Sequence, residues 1–147
     1  MGIEENKALI RRLYELTNQH ELEAAHELYS SEWHSGEFTL EQNNQYDFMA
    51  LNAFPDAQVT ILDMVAEGDK VAYIVNVTGT HTGSHYMGIP PTGRKMDMTN
   101  TWIARIVDNK IVEHNGTAGF VTLLQQLGVM PSPMEALQAY KETHNLE

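Results

Sequence analysis

Histidines are the side chains in this sequence best suited to moving protons. His34 lies in the loop-like segment SSEWHSGE, His81 lies in GTHTG, and His114 ends the last strand-like run. An imidazole changes protonation near pH 6.5, so it can take a proton from a carbon next to a carbonyl. A donor to the enolate oxygen completes such a site. We take two of them, His34 and His114, as candidate catalytic bases; the choice of these two follows from the family resemblance given below.

Each histidine also has an ordinary structural interpretation. His34 could be an exposed loop residue, and His114 could bond a backbone carbonyl at the end of its strand. For His81, bracing of the following loop is favoured over a place at the mouth of a pocket. Alternation along the last strand ties the direction of His114 to that of Val112, and the sequence leaves that direction open.

Other reaction classes find little support. His81 and His85 are four residues apart, a spacing that suits a helix, but they lie in a loop bracketed by glycines and zinc would need a third and a fourth ligand, so we expect no metal. The chain has no Cys, no Gly-x-Ser-x-Gly elbow, no phosphate-binding glycine loop and no dinucleotide fingerprint. We therefore expect no cofactor.

A long strand-like run, residues 94–107, supplies the candidate wall of a binding site. Asn100 shares a face with Met96, Met98, Trp102 and Ala104, and an unpaired amide there would be costly. It either contacts a ligand or makes a structural hydrogen bond, and both remain open. Two residues before GIPP could form a lid. The predicted ligand-binding residues are Trp33, His81, Tyr86, Met87, Met98, Asn100 and Trp102.

Hydrophobic periodicity predicts the elements that position these residues. Helices are expected at residues 4–17, 22–29, 40–54, 120–127 and 133–142, and strands at 58–67, 70–80, 94–107 and 110–115. Helices followed by a strand meander indicate an α+β fold, with a curved antiparallel sheet enclosing a cone-shaped pocket. We expect residues 1–147 to form a single domain.

Charge limits the partners. Twenty acidic residues against nine basic ones give a net charge of -11, which disfavours nucleic acid and anionic membranes. No apolar run approaches the roughly 20 residues that cross a bilayer, and the N-terminus does not resemble a signal peptide. We expect a soluble, cytoplasmic protein whose partner is a small hydrophobic molecule.

The motifs GTHTG, GIPPTGRK, RIVDNKIVEH and QQLG, in that order, closely resemble the SnoaL-like polyketide cyclases of the nuclear-transport-factor-2-like superfamily. The resemblance covers roughly residues 4–130 and leaves out the helix at about 133–142. It implies a cone-shaped α+β barrel, a homodimer formed through the outer face of the sheet, and ring closure by intramolecular aldol condensation of a polyketide-like substrate.

The resemblance also assigns family positions to residues here. The acid/base Asp of the characterised cyclases falls on Gly116, and a second frequent Asp falls on Gly119. The pocket His and Gln of the family fall on Trp102 and Asn100, and an Asn of the early loop falls on His34.

Three functions follow as hypotheses. The first is a cofactor-independent cyclase, isomerase or lyase in which His34 or His114 replaces the family Asp. The second is a binding protein that kept the pocket without catalysis. The third is an epoxide-hydrolase-like enzyme, which needs an Asp–Arg–Asp arrangement; Asp97 and Arg105 are present, but on the strand face assigned outward.

Overall fold

The computed structural model describes residues 2–147 as a curved six-stranded sheet with helices, a mixed α+β fold. The helices are α1 (Ile3–Asn18), α2 (Leu22–His26), α3 (Leu40–Ala53), α4 (Phe120–Gln126) and α5 (Pro133–Thr143). The strands are β1 (Tyr29–Ser35), β2 (Phe38–Thr39), β3 (Gln58–Glu67), β4 (Lys70–Thr80), β5 (Lys95–Val107) and β6 (Lys110–Thr117). The fold class expected from the sequence is confirmed.

The strand order is β2-β1-β6-β5-β4-β3. The meander β3 to β6 is antiparallel as expected, but β1 runs parallel to β6. The prediction of a loop over residues 30–37 was wrong, because most of that segment forms β1. Only Trp33 in the strand is buried, so the sequence shows no alternating apolar pattern there.

The apolar face of α1 packs against the inner face of the sheet. Ile10 and Leu13 on the helix join Val71 and Val75 of β4 in one buried cluster. Burying each such side chain stabilises the fold by roughly 1.5–3 kcal/mol. A second cluster, with Phe54 among its members, packs around Met96 and Met98 at the start of β5.

Local signals set the ends of the elements around the site. The Thr39 hydroxyl accepts from the Gln42 N–H, and the Gln42 side chain accepts from the Thr39 N–H, so α3 begins with a complete capping box. Asp108 and Asn109 both have positive φ, which gives the tight turn between β5 and β6.

Helix α5 begins at Ser132 and Pro133, as the sequence predicted, with the Ser132 hydroxyl as its N-cap. None of its residues is buried, and Met134, Leu137 and Tyr140 are exposed. Among residues 2–147, no helix is both long enough and apolar enough to cross a membrane.

Candidate functional site

A cavity of about 420 Å³ lies between the helices and the inner face of the sheet. Its walls are mostly apolar and include members of both buried clusters. Six residues predicted to contact a ligand or to catalyse line it: Trp33, Tyr86, Met98, Asn100, Trp102 and His114.

His34 does not line this cavity. It follows Trp33 on β1, and alternation turns its side chain to the other face of the strand, where 49% of it is exposed. Its Nε2 lies 3.5 Å from a carboxylate oxygen of Glu113. The expectation of an inward-facing base at this position therefore needs correction.

His81 and Met87 also lie outside the cavity lining. His81 is fully buried; its Nδ1 accepts from the Thr92 N–H at 3.2 Å, so its Nε2–H donates to the Ser84 carbonyl at 3.1 Å. These bonds brace the loop that follows, which was the alternative favoured from sequence. Met87 has a φ of +47° and points to solvent, whereas its neighbour Tyr86 is fully buried against the cavity.

A β-bulge decides where His114 points. Arg105 pairs with Glu113 while Ile106 pairs with Ile111, so Val112 is an extra residue on β6. Ile111 and His114 consequently both face inward, and both are buried. Strict alternation from Val112 could not have given the direction of His114.

Both ring nitrogens of His114 are engaged. The Trp33 indole N–H, which can only donate, bonds Nδ1 at 3.0 Å. Nδ1 is therefore an acceptor, and in the neutral ring the proton sits on Nε2, which bonds the Tyr73 hydroxyl at 2.7 Å. Burial lowers the pKa of His114 to about 4, so the ring is neutral at pH 7.

These bonds order a chain of donors that ends at the cavity. Because His114 donates to Tyr73, the Tyr73 hydroxyl hydrogen is available to Tyr14, whose oxygen lies 2.9 Å away. Tyr14 then has its own hydrogen to direct elsewhere, and Tyr14 lines the cavity. Burial raises the pKa of Tyr14 and of Tyr73, so both hydroxyls stay protonated.

Asn100 combines the two roles left open by the sequence. Its Oδ1 accepts from the Gly119 N–H at 2.8 Å, which fixes the segment after β6, and its side chain also lines the cavity. Within residues 2–147, no hydrogen bond involves its Nδ2. The amide can therefore donate to a bound molecule while its oxygen remains in the structural bond.

Backbone packing explains the absence of a carboxylate at the end of β6. Gly116 pairs with Trp102 and has a φ of +154°. A Cβ at this position would lie 2.0 Å from the Thr101 carbonyl oxygen. At Gly119 it would lie 3.0 Å from the Met98 Cβ. The strands approach too closely at Gly116 to admit a side chain without a backbone shift.

Sequence reasoning missed a polar group on the opposite wall. Asn43, Tyr46, Asp47 and Ala50 line the cavity from α3. Their spacing of i, i+3, i+4 and i+7 places them on one helical face, and this spacing was a signal that could have found them. The Asp47 Oδ2 lies 2.9 Å from the His26 Nε2.

Asp97 and Arg105, the residues of the epoxide-hydrolase hypothesis, lie outside the cavity lining. Asp97 accepts from Asn76 at 2.7 Å on the exposed side, and Arg105 lies 3.9 Å from Glu113. Neither residue lines the cavity. In the part of the chain that the structure describes, no group of three His, Cys, Asp or Glu residues could hold a metal ion.

Comparisons with known proteins agree with this architecture. AclR from Streptomyces galilaeus, a candidate hydroxylase, is 29% identical over 98% of this chain and 94% of its own, with a TM-score of 0.82. IdmH from Streptomyces antibioticus, a candidate polyketide cyclase, is 33% identical over 84% of this chain and 99% of its own, with a TM-score of 0.71. A candidate SnoaL-like cyclase from Jannaschia, 19% identical over 88% of this chain and 95% of its own, shares the fold at a TM-score of 0.75.

The comparison with curated proteins finds no match. The family model for SnoaL-like polyketide cyclases matches residues 7–127, which span the cavity and every strand of the sheet. This chain therefore belongs to the SnoaL-like polyketide cyclase family.

Proposed function

We propose that this protein is a cofactor-independent cyclase, isomerase or lyase that enolises a hydrophobic, polyketide-like carbonyl compound in its cavity. The observation that carries the proposal is the ordered donor chain from His114 through Tyr73 to Tyr14. A donor aimed into an apolar cavity stabilises the oxyanion that forms when a proton leaves the neighbouring carbon.

His114 has a positioning role in this scheme and does not act as the base. Its Nδ1 lone pair is occupied by Trp33, and its pKa of about 4 reflects the cost of placing a charge there. A neutral ring with a fixed tautomer orients Tyr73, and Tyr73 in turn orients Tyr14. Tyr14 is the group expected to touch the substrate oxygen.

The size and lining of the cavity favour an uncharged substrate. Its volume of about 420 Å³ falls within the range of small-molecule sites, and most of its lining is apolar. Two further polar groups of the lining, the Asn100 amide and the Asp47 carboxylate, could orient a carbonyl compound. A multi-ring or folded polyketide chain has this combination of apolar surface and carbonyl oxygens.

The test is enolisation of 2-tetralone, an uncharged bicyclic ketone, in deuterium oxide. Nuclear magnetic resonance follows the loss of the hydrogens between its ring and carbonyl. The wild-type protein should accelerate this exchange above buffer. Tyr14→Phe should lower kcat by about 100-fold or more with KM changed little, because only the enolate needs the donor strongly. Tyr140→Phe on the exposed face of α5 is the matched control and should behave as wild type.

The second candidate function is ligand binding without catalysis, which the crowded backbone at Gly116 favours because it excludes the carboxylate expected there by resemblance. Quenching of Trp33 and Trp102 fluorescence by 2-tetralone measures binding independently of exchange. Saturable quenching with no acceleration would support the binding protein and contradict the enzyme.

We also propose that the protein is a homodimer formed through the outer face of its sheet. Val65, Ala72 and Ile103 pair across β3, β4 and β5 and form an apolar row on that face. Val65 is 63% exposed and Ile103 is 46% exposed in the single chain. Pairing of two such faces would remove this row from water.

A further inference from the structure

We propose that Asp47 on α3 is the general base of the reaction, held in place by His26. This inference rests on the proposed enolisation and adds the residue that takes the proton. Among the described residues that line the cavity, Asp47 is the one carboxylate.

The hydrogen bonds of Asp47 leave one oxygen for a substrate. Both contacts that hold the carboxylate involve Oδ2, from the His26 Nε2 at 2.9 Å and from the Asn43 Nδ2 at 3.4 Å. No hydrogen bond within residues 2–147 involves Oδ1. The side chain is 34% exposed and lines the cavity, so Oδ1 is accessible to a bound molecule.

His26 is suited to positioning and not to touching the substrate. Its side chain is only 9% exposed, and its ring packs edge-on against Phe48 at 5.6 Å between centroids. It is absent from the cavity lining. A buried ring that bonds one carboxylate oxygen fixes the direction of the other, as positioning groups behind catalytic residues do.

Asp47 lies near the donor end of the site. Burial raises the pKa of Tyr14 and of Tyr29, and the carboxylate of Asp47 adds to the shift of each. Tyr14, Tyr29 and Asp47 line the same cavity, which is therefore bounded by a carboxylate and a hydroxyl donor. An aspartate can serve as the base for enolisation when a hydrogen-bond donor faces the forming oxyanion.

The step balances without a co-reactant. The Asp47 Oδ1 takes the proton from the carbon next to the carbonyl, and the C–H electron pair becomes the new C=C bond. The carbonyl π pair moves to oxygen, where the Tyr14 hydroxyl stabilises it. Return of the proton from Asp47 to a different carbon of a conjugated enolate completes an isomerisation. In a cyclisation the enolate carbon attacks a second carbonyl, whose π pair moves to its oxygen, and the proton held by Asp47 passes to the alkoxide so formed.

The experiment uses the 2-tetralone exchange with five variants of the full chain. Asp47→Asn should lower kcat by 100-fold or more and keep the dissociation constant from fluorescence quenching within about threefold. Glu41→Gln removes an exposed carboxylate from the first turn of the same helix and should leave the exchange unchanged. His26→Phe should lower kcat without changing KM, and His26→Gln, which keeps a donor to Oδ2, should recover most of it.

The outcomes separate the two proposals. Exchange that persists in Asp47→Asn within threefold of wild type overturns the role of Asp47 and leaves the enolising enzyme standing. A wild-type protein that binds 2-tetralone without accelerating exchange overturns both. Asp47→Glu keeps a carboxylate but moves it, and it serves as a second variant in case Asp47→Asn does not fold. A folded Asp47→Glu protein with an intermediate kcat supports a base that must be positioned. A folded protein with the full kcat contradicts the need for the position that His26 sets.

Discussion

Replacing His114 with Gln should remove a distinct part of the acid sensitivity of this protein. The buried ring has a pKa of about 4, against about 6.5 for an unperturbed histidine in the unfolded chain. Between these values the unfolded chain binds a proton that the folded chain does not. The contribution of His114 to the free energy of unfolding is therefore fully present above about pH 6.5, decreases as the pH is lowered, and stops changing below about pH 4.

The shift sets the size of the effect. The difference between the pKa of His114 in the folded and in the unfolded chain corresponds to about 3 kcal/mol of unfolding free energy. About 2 kcal/mol of this should be lost between pH 7 and pH 5. Gln carries a donor and an acceptor at this position but does not titrate. The variant should be less stable than wild type at pH 7 if it matches the bonds to Trp33 and Tyr73 imperfectly, yet it should lose less stability on acidification.

Urea unfolding at one protein concentration, followed by far-ultraviolet circular dichroism at pH 7, 6 and 5, measures the difference between the two slopes. All other titrating groups are common to both proteins and cancel to first order. Parallel curves for wild type and His114→Gln between pH 7 and pH 5 would refute the burial argument.

Two further predictions follow from backbone and surface. Gly116→Asp should lower the unfolding free energy measured in urea by at least about 2 kcal/mol, because the new Cβ meets a backbone carbonyl. Gly36→Asp is the control: Gly36 also has a positive φ but has open space around it, so the loss should be about 1 kcal/mol. Equal losses in the two variants would contradict the crowding at Gly116. Ile103→Asp should convert the proposed dimer to a monomer, as measured by sedimentation velocity, because it places a charge in the apolar row. Leu137→Asp on the exposed helix α5 is the control and should leave the dimer intact. An Ile103→Asp protein that remains dimeric would place the interface elsewhere.

Local sequence signals were sufficient for most of the fold. The capping box at Thr39, the turn at Asp108 and the helix start at Ser132 each act within four residues, so the sequence states them directly. Alternation along β5 correctly grouped the inward-facing residues from Met96 to Ala104. These features depend on periodicity and on short-range hydrogen bonds, which a single sequence contains.

The errors arose where distant segments decide the outcome. β1 has one buried residue and is a strand because it pairs with β6, which lies about 80 residues further along the chain. The direction of His114 depends on one extra residue in the pairing of β5 with β6. Asp47 becomes a cavity residue only when α3 is placed over the sheet. The first two relations are absent from any local pattern, and the residue spacing on α3 gives the helical face of Asp47 but not the sheet against which that face packs.

The arrangement also explains how a site of this kind can keep its fold while its carboxylate lies elsewhere. The close approach of β5 and β6 at Gly116 leaves no room for a side chain, and the neighbouring His114 is committed to Trp33 and Tyr73. The sheet wall therefore offers a neutral donor chain and no accessible base. Enolisation needs a base and a donor on different sides of one carbonyl compound. Tyr14 of α1 is the donor at the cavity, and Asp47 of α3 is the one carboxylate among the described residues that line it, so Asp47 is the residue with the chemistry that the base requires.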